Sequence, residues 1–458
     1  MFDLIIIGSG PGGYAGAIRA SQLGLKVAIV ERAELGGVCL NWGCIPTKAL
    51  LKSAAVFDYA RNASHYGVTL DGESLTADLD RMVERSRAVA SQMSKGVEFL
   101  MKKNSIQVIE GQATIIDSGK VMVEDQTYEA KNIIIATGAR PREFPTIPID
   151  GVRILNSRHA LTLTHKPDSI VVVGSGAIGL EFASFFNTLG VKVTVVEYVD
   201  RIAPLEDAEI SSTLERALRK AKITIMTSTS VEKVEVRGEK CFTDVMGKKG
   251  AQTIESDVVL SAVGITANIE NMGLESLGMD VERGKIVVDN HFQTSVSNIF
   301  AIGDVIATPA LAHVATAEAI NCVEYIANLS PQPIDYSVIP SCIYTTPEVS
   351  SVGMTQSEAE SRGFEVKIGK FPFTASGKAT SAGARDGLVK LVFDGATDKL
   401  LGAHFCGLNV TEMVAEPTLA LKLGATAAQI IATIHPHPTM SEAVMEAAAA
   451  AHNEAIHV

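Results

Sequence analysis

The sequence predicts an α/β protein that contains two related β–α–β regions and a final α+β region. The first observation is an internal repeat: residues 4–31 read LIIIGSGPGGYAGAIRASQLGLKVAIVE, and residues 170–197 read IVVVGSGAIGLEFASFFNTLGVKVTVVE. Each copy has an apolar run, a GxGxxG segment, an amphipathic stretch and a second apolar run that ends in Glu. The second observation is that this pattern stops after Pro340, where strand-like runs are followed by helical ones.

The length and composition are those of a globular protein with a large buried core. The chain has 458 residues, of which 47% are hydrophobic and 20% charged, and this length corresponds to about three domains. Its formal net charge of −12 disfavours nucleic acid and anionic membranes as partners. No apolar run is long enough to cross a bilayer, and residues 2–7 resemble a buried strand rather than a signal peptide. We therefore expect a cytoplasmic protein.

The two copies of the repeat predict two Rossmann-like dinucleotide-binding domains. Three glycines in each copy serve the tight turn after the strand, the approach of the backbone to a pyrophosphate and the packing of helix on strand. They are Gly8, Gly10 and Gly13 in the first copy and Gly174, Gly176 and Gly179 in the second. Glu31 and Glu197 end the second strands, where a carboxylate can accept hydrogen bonds from both ribose hydroxyls. Two copies suggest two dinucleotides and electron transfer between them.

Periodicity in the rest of the chain predicts further elements. Apolar runs at 133–137, 258–263 and 299–302 predict strands, and residues 77–103 predict a long, partly exposed helix. After residue 340 the sequence predicts strands at 387–393 and 400–406 and helices at 410–423, 426–433 and 440–451. With proline-rich linkers at 140–148 and 330–340, we expect a first dinucleotide domain at 1–145, a second at 146–265, a central region that completes the first at 266–335, and an interface domain for assembly at 336–458.

Two cysteines lie close together in GGVCLNWGCIPTK, residues 36–48. Cys39 and Cys44 are separated by four residues, and a bent or helical segment of this length can bring their Cα atoms within the ~4.4–6.8 Å that a disulfide needs. Pro46 suits the first turn of a helix, so Cys44 would lie just before a helix N-terminus, which favours a thiolate. A zinc site and two inert thiols are the alternatives, but no second Cys/His pair lies nearby. We expect no metal, and we expect the remaining cysteines to be inert buried thiols: Cys241, Cys322, Cys342 and Cys406.

Taken together, these motifs resemble those of the flavin-dependent pyridine nucleotide–disulfide oxidoreductases. The resemblance covers the whole chain and rests on GSGPGG, GGVCLNWGCIPTK, IIIATG, GSGAIGLE, IFAIGDV followed by LAHVATAE, and HPHPTMSE. The segments HPHPT and NWGCIPTKAL point to the members that act on lipoamide. The resemblance implies that FAD and NAD are bound and that dihydrolipoamide is oxidised by NAD⁺ through a Cys39–Cys44 disulfide and FAD. It also implies a homodimer whose partner is the lipoyl-bearing acyltransferase of a 2-oxo acid dehydrogenase complex or a glycine cleavage carrier protein.

The resemblance also implies roles for individual residues. FAD would be bound by Gly8, Gly10, Gly13, Glu31, Lys48, Gly111, Thr137, Gly138, Asp304 and Ala312, and NAD by Gly174, Gly176, Gly179, Glu197, Val231 and Gly264. Lys48 would approach the flavin and pair with Glu181; the alternative is a plain surface lysine. His437 would be the catalytic base and Glu442 would orient it, because histidine titrates nearest pH 7. Alternatively, Glu442 forms a capping box with Thr439, or His435 is the base.

The choice of nucleotide depends on Glu197, since a carboxylate there binds a 2′-hydroxyl and repels a 2′-phosphate. The nearest arginine, Arg201, comes four residues later, so NAD is predicted rather than NADP. Ile178 stands where glutathione-specific relatives often have Tyr, and GITAN at 264–268 departs from the family's GRxPN. Two alternatives stay open: another disulfide or metal-ion reductase of the same family, and a catalytically silent subunit that binds FAD and NAD.

Overall fold

The computed structural model describes residues 1–70 and 75–458. Its first region contains strands β1 (Phe2–Ile7), β2 (Val27–Glu31), β3 (Gln107–Glu110), β4 (Ala113–Asp117), β5 (Lys120–Val123), β6 (Gln126–Ile135) and β7 (Ala139–Pro141), with helices α1 (Pro11–Gln22), α2 (Gly37–Trp42), α3 (Cys44–Arg61) and α4 (Leu79–Lys103). The predicted long helix is therefore α4, and Asp78 caps it by accepting a hydrogen bond from the backbone N–H of Arg81.

The second and central regions follow along the chain. The second contains β8 (Ile154–Leu155), β9 (Ser169–Val173), β10 (Lys192–Val196), β11 (Thr224–Met226), β12 (Ser230–Arg237), β13 (Lys240–Gly247), β14 (Gly250–Ser256), β15 (Val258–Ser261) and β16 (Ile265–Ala267), with α5 (Ser157–Ala160), α6 (Ala177–Thr188) and α7 (Ala208–Lys220). The central region contains β17 (Val281–Glu282), β18 (Lys285–Ile286), β19 (Ile299–Ala301) and α8 (Ala312–Ile326).

The two copies of the repeat form the centres of two parallel sheets. In the first sheet the parallel strands are ordered β3-β2-β1-β6-β19, and in the second they are ordered β11-β10-β9-β15-β8. β19 comes from the central region and pairs with β6, so this region completes the first sheet. The predicted α/β fold with two Rossmann-like domains is confirmed.

The last region is built on an antiparallel sheet, ordered β20-β21-β24-β23-β22. It contains β20 (Ser341–Ile343), β21 (Glu348–Gly353), β22 (Val366–Pro372), β23 (Leu388–Asp394), β24 (Leu400–Gly407), α9 (Gln356–Ser361), α10 (Gly377–Ser381), α11 (Val410–Met413), α12 (Ala415–Leu423), α13 (Ala427–Ala432) and α14 (Glu442–Ala450). The predicted α+β architecture is confirmed, but the single helix expected at 410–423 is wrong. The chain forms α11 and α12 instead, because Pro417 has no N–H to donate to the carbonyl of Met413. Across the described residues, no helix is long and apolar enough to cross a membrane.

One of the buried hydrophobic clusters contains residues from the first, second and last regions of the chain. Leu50 on α3 and Val83 on α4 pack in the same buried cluster as Phe182 on α6. Ile343 and Val349, at the start of the antiparallel sheet, belong to this cluster too. The segment that carries Cys39 and Cys44 therefore lies next to both the second parallel sheet and the last region.

Candidate active site

The two glycine-rich turns are built in the same way. Gly8 and Gly174 have φ angles of +101° and +99°, which side chains rarely adopt. A Cβ atom on Gly13 would lie 1.8 Å from the carbonyl oxygen of Gly8, and one on Gly179 would lie 2.1 Å from that of Gly174. The third glycine of each motif therefore allows the helix to approach its strand, as the sequence predicts.

The middle glycines open a space at the helix N-termini. Gly10 is the N-cap of α1 and Gly176 is the N-cap of α6, and neither helix has a side-chain cap. A Cβ atom on either glycine would have no atom of the described residues, 1–70 and 75–458, within 4 Å. A bare helix N-terminus beside open space suits a phosphate, because its backbone N–H groups and its dipole both favour an anion.

The residues predicted to bind FAD lie at the carboxyl ends of the first parallel sheet. Gly8 follows β1, Glu31 ends β2, Gly111 follows β3, Thr137 lies just after β6, and Asp304 lies just after β19. Gly138 adjoins Thr137, Ala312 is the first residue of α8, and Lys48 lies on α3. Dinucleotides bind in the crevice at this edge of such sheets, so the topology brings the predicted set together.

The residues predicted to bind NAD occupy the corresponding edge of the second sheet. Gly174 follows β9, Glu197 follows β10, and Gly264 lies just after β15. Val231 lies at the start of β12, directly beyond β11. Ile178, on the first turn of α6, is 44% exposed, so an aliphatic side chain stands at the mouth of this crevice.

The carboxylates of Glu31 and Glu197, at the carboxyl ends of β2 and β10, already accept hydrogen bonds from protein groups. One oxygen of Glu31 accepts from the backbone and hydroxyl of Ser9 at 3.0 and 2.6 Å, and the other accepts from the next two backbone N–H groups at 2.8 and 2.9 Å. One oxygen of Glu197 accepts from the backbone and hydroxyl of Ser175 at 2.8 and 2.6 Å. Among the residues that the structure describes, the other oxygen accepts only from the N–H of Val199, at 2.9 Å. Glu197 therefore keeps more free acceptor capacity than Glu31.

Asp304 tests whether the first crevice fits FAD. Its carboxyl group is half-buried, and burial raises its pKa while the nearby Lys285 opposes this shift. Lys285 donates to the backbone carbonyl of Asp304 rather than to its carboxylate. Within residues 1–70 and 75–458, no hydrogen bond to the Asp304 carboxylate lowers its pKa. A partly buried carboxylate of this kind calls for a donor, and the hydroxyls of a ribitol chain are suitable donors. The residues present fit FAD.

The two cysteines lie on consecutive helices. Cys39 is on α2, and Cys44 is the first residue of α3, whose N-cap is Gly43. Their thiols are hydrogen bonded, and this bond, together with the positive charge of Lys48, lowers the pKa of Cys44 to about 7 although burial and Glu181 oppose the shift. The same bond and burial raise the pKa of Cys39. Cys44 is thus the thiolate of the pair, and its position at a helix start agrees with the sequence prediction.

Lys48 and Glu181 form an ion pair beside these cysteines. The ammonium of Lys48 lies 2.9 and 2.8 Å from the two carboxylate oxygens of Glu181. The Glu181 side chain is 5% exposed and that of Lys48 is 33% exposed. Lys48 is therefore not the plain surface lysine of the alternative interpretation. Tyr344, which no sequence motif marked, also contacts this pair: its backbone N–H donates to Glu181 at 3.1 Å.

Trp42 forms a second contact between regions. The guanidinium carbons of Arg87 and Arg158 each lie 4.0 Å from the Trp42 ring centroid, and the indole N–H donates to Glu34 at 3.3 Å. Arg87 on α4 also donates to the backbone carbonyl of Asn41. Arg87 belongs to the first region and Arg158, on α5, belongs to the second. Trp42, which directly precedes Gly43 and Cys44, is therefore contacted by both dinucleotide regions.

His437 and Glu442 form the predicted dyad. His437 Nδ1 lies 2.9 Å from one Glu442 oxygen, and the other oxygen accepts from the Thr439 N–H at 2.8 Å. Burial raises the pKa of Glu442, but the N–H of Thr439 and the charge and hydrogen bond of His437 outweigh it, so the pKa is lowered. The alternative capping box is only half formed: α14 begins at Glu442, and the Thr439 hydroxyl donates to Pro436 instead. The His437–Pro438 bond is cis.

His435 is poorly placed to be a base. Its side chain is 5% exposed, its Nε2 lies 2.8 Å from Glu416, and its Nδ1 lies 2.9 Å from the carbonyl of Thr433. The side chain of His437, by contrast, is 79% exposed. Both nitrogens of His435 already have partners, so the exposed dyad is the better proton acceptor.

The remaining cysteines are poor nucleophiles. Burial raises the pKa of Cys241 and Cys342 to about 11 and that of Cys406 to about 12, and raises that of Cys322 well above the usual value. Cys342 is only half-buried, so the expectation that all four are buried is wrong for this residue. It lies next to Tyr344 and is therefore close to the Lys48–Glu181 pair.

Comparisons with known proteins agree with this geometry. Residues 2–319 match the family model described as pyridine nucleotide-disulphide oxidoreductase, and residues 339–448 match the dimerisation domain of that family. The chain is 48% identical to a dihydrolipoyl dehydrogenase of Rhizobium etli, with 97% of each chain covered, and 45% identical to one of Bacillus subtilis, with 100% of this chain and 99% of that one covered.

Solved structures give the same result. The crystal structure of LpdA from Mycobacterium tuberculosis has a TM-score of 0.90 and 27% sequence identity, covering 97% of this chain and 98% of that one. The flavoprotein disulfide reductase RclA from Escherichia coli, described as induced by HOCl, has a TM-score of 0.86 and 26% identity, covering 98% of this chain and 99% of that one. The chain is therefore an oxidoreductase that belongs to the pyridine nucleotide-disulphide oxidoreductase family and carries that family's dimerisation domain.

Proposed function

We propose that this chain is a dihydrolipoyl dehydrogenase, which oxidises dihydrolipoamide to lipoamide and reduces NAD⁺ to NADH with FAD as its bound cofactor. The observation that carries the proposal is the Cys39–Cys44 pair, held beside the Lys48–Glu181 ion pair in a chain with two dinucleotide crevices. Relatives with this name that match over nearly the full length support it. We further propose that the chain acts in the cytoplasm and has the domain boundaries predicted from its sequence.

The cysteine chemistry follows from the unequal acidity of the two thiols. A dihydrolipoamide thiolate attacks the sulfur of Cys39 in the oxidised pair, forming a mixed disulfide and releasing Cys44 as a thiolate. The second substrate thiol, once deprotonated, attacks the substrate sulfur in the mixed disulfide, forming lipoamide and releasing Cys39. Because the pKa of Cys44 is about 7, Cys44 is the better leaving group. FAD, when bound, supplies the two-electron transfer from the Cys39–Cys44 dithiol to NAD⁺.

The proposed base is His437. With Nδ1 bonded to the Glu442 carboxylate, a neutral imidazole carries its proton on Nδ1 and leaves Nε2 as an acceptor. Nε2 would take the proton from the substrate thiol. Within residues 1–70 and 75–458 of one chain, no ion pair or hydrogen bond joins His437 to the cysteines, and its side chain is 79% exposed. We therefore propose that His437 serves the cysteines of the partner subunit in a homodimer.

The proposed physiological electron donor is a protein-bound lipoyl group. Its carrier would be the lipoyl-bearing acyltransferase of a 2-oxo acid dehydrogenase complex or the carrier protein of glycine cleavage. The side chain of His437, the proposed proton acceptor, is 79% exposed in the single chain, so a group attached to another protein can approach it.

A side-by-side turnover assay tests the reaction. NADH-dependent reduction of lipoamide, glutathione disulfide and Hg(II) is measured with the purified holoenzyme. We expect lipoamide to be reduced far faster than the other two, and Cys44→Ser to retain FAD but lose lipoamide turnover. Faster reduction of glutathione disulfide or Hg(II) would assign the chain to another reductase of the family, and bound flavin without turnover would indicate a silent subunit.

A complementation assay tests the shared site. Cys44→Ser and His437→Gln homodimers, each nearly inactive, are dissociated, mixed equally and reassociated. Random pairing makes about half of the dimers mixed, each with one intact site, so activity should recover to roughly a quarter of the unmodified level. No recovery despite demonstrated exchange of subunits would mean that each chain supplies its own base.

A further inference from the structure

The dimerisation domain reaches the Lys48–Glu181 pair through one aromatic residue. Tyr344 directly follows β20, and its ring centroid lies 4.4 Å from the ammonium nitrogen of Lys48. Its backbone N–H donates to Glu181 at 3.1 Å. The same residue therefore contacts both members of the ion pair, the cation through its ring face and the carboxylate through its backbone.

The position of this ring is set by the loop that carries it. Tyr344 and Thr346 both donate backbone hydrogen bonds to α6, the former to Glu181 and the latter to the hydroxyl of Ser184 at 3.2 Å. Glu181 and Ser184 are three residues apart and so lie on one face of the helix. Two bonds to one helix face fix the loop between β20 and β21 against the second dinucleotide region.

A long lysine side chain needs such a contact to stay in one place. Ordering a lysine side chain costs rotamer entropy, and the side chain of Lys48 is 33% exposed. The carboxylate of Glu181 restrains the ammonium on one side. The half-buried ring of Tyr344 covers it from the last region of the chain and excludes water from that contact.

We propose that Tyr344 is a positioning residue of the redox site, whose ring and backbone N–H hold Lys48 and Glu181 beside Cys44. Through this residue the dimerisation domain controls the charge that acts on the redox pair. The proposal rests on the proposed function only in taking Cys44 as the redox thiolate, and it does not depend on the identity of the disulfide substrate.

The direction of the effect follows from the charges around Cys44. The titratable groups that face its sulfur are Cys39, Lys48 and Glu181. Lys48 favours the thiolate, whereas Glu181 disfavours it. Glu181 is almost fully buried on α6 and should keep its position when the Tyr344 ring is removed. Only the ammonium of Lys48 then becomes free to move away from Cys44. The Cys44 thiol should then become less acidic.

The test compares Tyr344→Leu and Tyr344→Met, which lack an aromatic face, with Tyr344→Phe, which keeps it. Each holoenzyme is reduced with dithiothreitol, and the rate of alkylation of Cys44 by iodoacetamide is measured against pH, with the site confirmed by mass spectrometry. We expect Leu and Met to raise the apparent pKa of Cys44 by roughly 0.5–1 unit, which slows alkylation at pH 7 about two- to fivefold. Phe should restore the unmodified profile.

Two outcomes would overturn the proposal, and a third separates it from the proposed function. If Leu or Met retains FAD and the dimer but leaves the Cys44 profile unchanged, the ring does not position Lys48. If Phe shifts the profile as much as Leu does, the hydroxyl that contacts Cys342 is responsible instead of the ring. A chain that fails to reduce lipoamide but still shows the shift in Leu would refute the proposed function and support the positioning role.

Discussion

The preference for NAD should depend on the free acceptor capacity of Glu197. A carboxylate offers about four lone-pair sites, and the donors of Ser175 and Val199 occupy three of them. One site remains for a ribose hydroxyl, so a second ribose bond requires the Ser175 hydroxyl to turn away. Because Glu197 is 9% exposed, its charge is poorly screened and should strongly repel a 2′-phosphate.

Replacing Glu197 by Gln changes the charge while keeping the shape. A hydrogen bond to a charged group is worth about 1.5–3 kcal/mol and a neutral one about 0.5–1.5, so NADH should bind roughly 5–12-fold more weakly. NADPH should bind at least about tenfold more tightly, since the repulsion is removed. The NH₂ group of the new amide also faces the N–H of Ser175 or Val199, and this contact between two donors should weaken the binding of NADH and NADPH alike. The ratio of the two affinities therefore isolates the effect of charge.

The assay is an anaerobic titration of the fully reduced holoenzyme, which neither NADH nor NADPH can reduce further, followed by the fluorescence of the nucleotide. The content of FAD is the control, since Glu31 belongs to the other crevice and is unchanged. The reasoning fails if the NADH-to-NADPH affinity ratio stays the same in Glu197→Gln. It fails equally if the unmodified enzyme already prefers NADPH.

Two further perturbations follow from contacts between regions. Lys48→Met leaves the carboxylate of Glu181, which is 5% exposed, without its cation. Allowing for the partial exposure of Lys48, we expect this variant to lose about 1–3 kcal/mol of stability, measured by the thermal release of FAD. The double variant Lys48→Met/Glu181→Gln should recover part of this loss. An equal loss in the single and double variants would mean that the ion pair is not responsible. Arg158→Ala should move the emission of Trp42, the only tryptophan in the chain, to longer wavelength, whereas Arg81→Ala, at an 84% exposed side chain, should not. Identical spectra would show that Arg158 does not cover the indole.

The parts of the fold that could be predicted from the sequence are those encoded by local pattern. The repeat predicted two equivalent parallel sheets because each glycine of its motif meets a local backbone requirement, such as the positive φ of Gly8 and Gly174. Cys44 could be placed at a helix start because Pro46 suits a first turn. The break between α11 and α12 also had a local signal, which the prediction of a single helix did not use: Pro417 has no N–H to donate to the carbonyl of Met413, the last residue of α11.

The contacts that join regions could not be predicted from local pattern. Lys48 and Glu181 are 133 residues apart, and only the family resemblance suggested that they pair. Nothing in the sequence around Tyr344 or Arg158 indicates that one contacts Lys48 and the other Trp42. Glu442 shows the opposite problem: its spacing from Thr439 suggested a capping box, but the N-cap of α14 is Ser441, two residues later than such a box requires.

The redox site is a junction of three parts of the chain. Lys48 comes from the region that holds the cysteines, Glu181 from the second dinucleotide region and Tyr344 from the last region. Because Glu181 is almost fully buried, the ion pair is stable only when all three are docked together. The last region would thus act twice: within its own chain Tyr344 sets the charge near Cys44, and in the proposed dimer the exposed His437 serves the partner subunit. Displacing the dimerisation domain should therefore remove the base from one site and weaken the thiolate of the other.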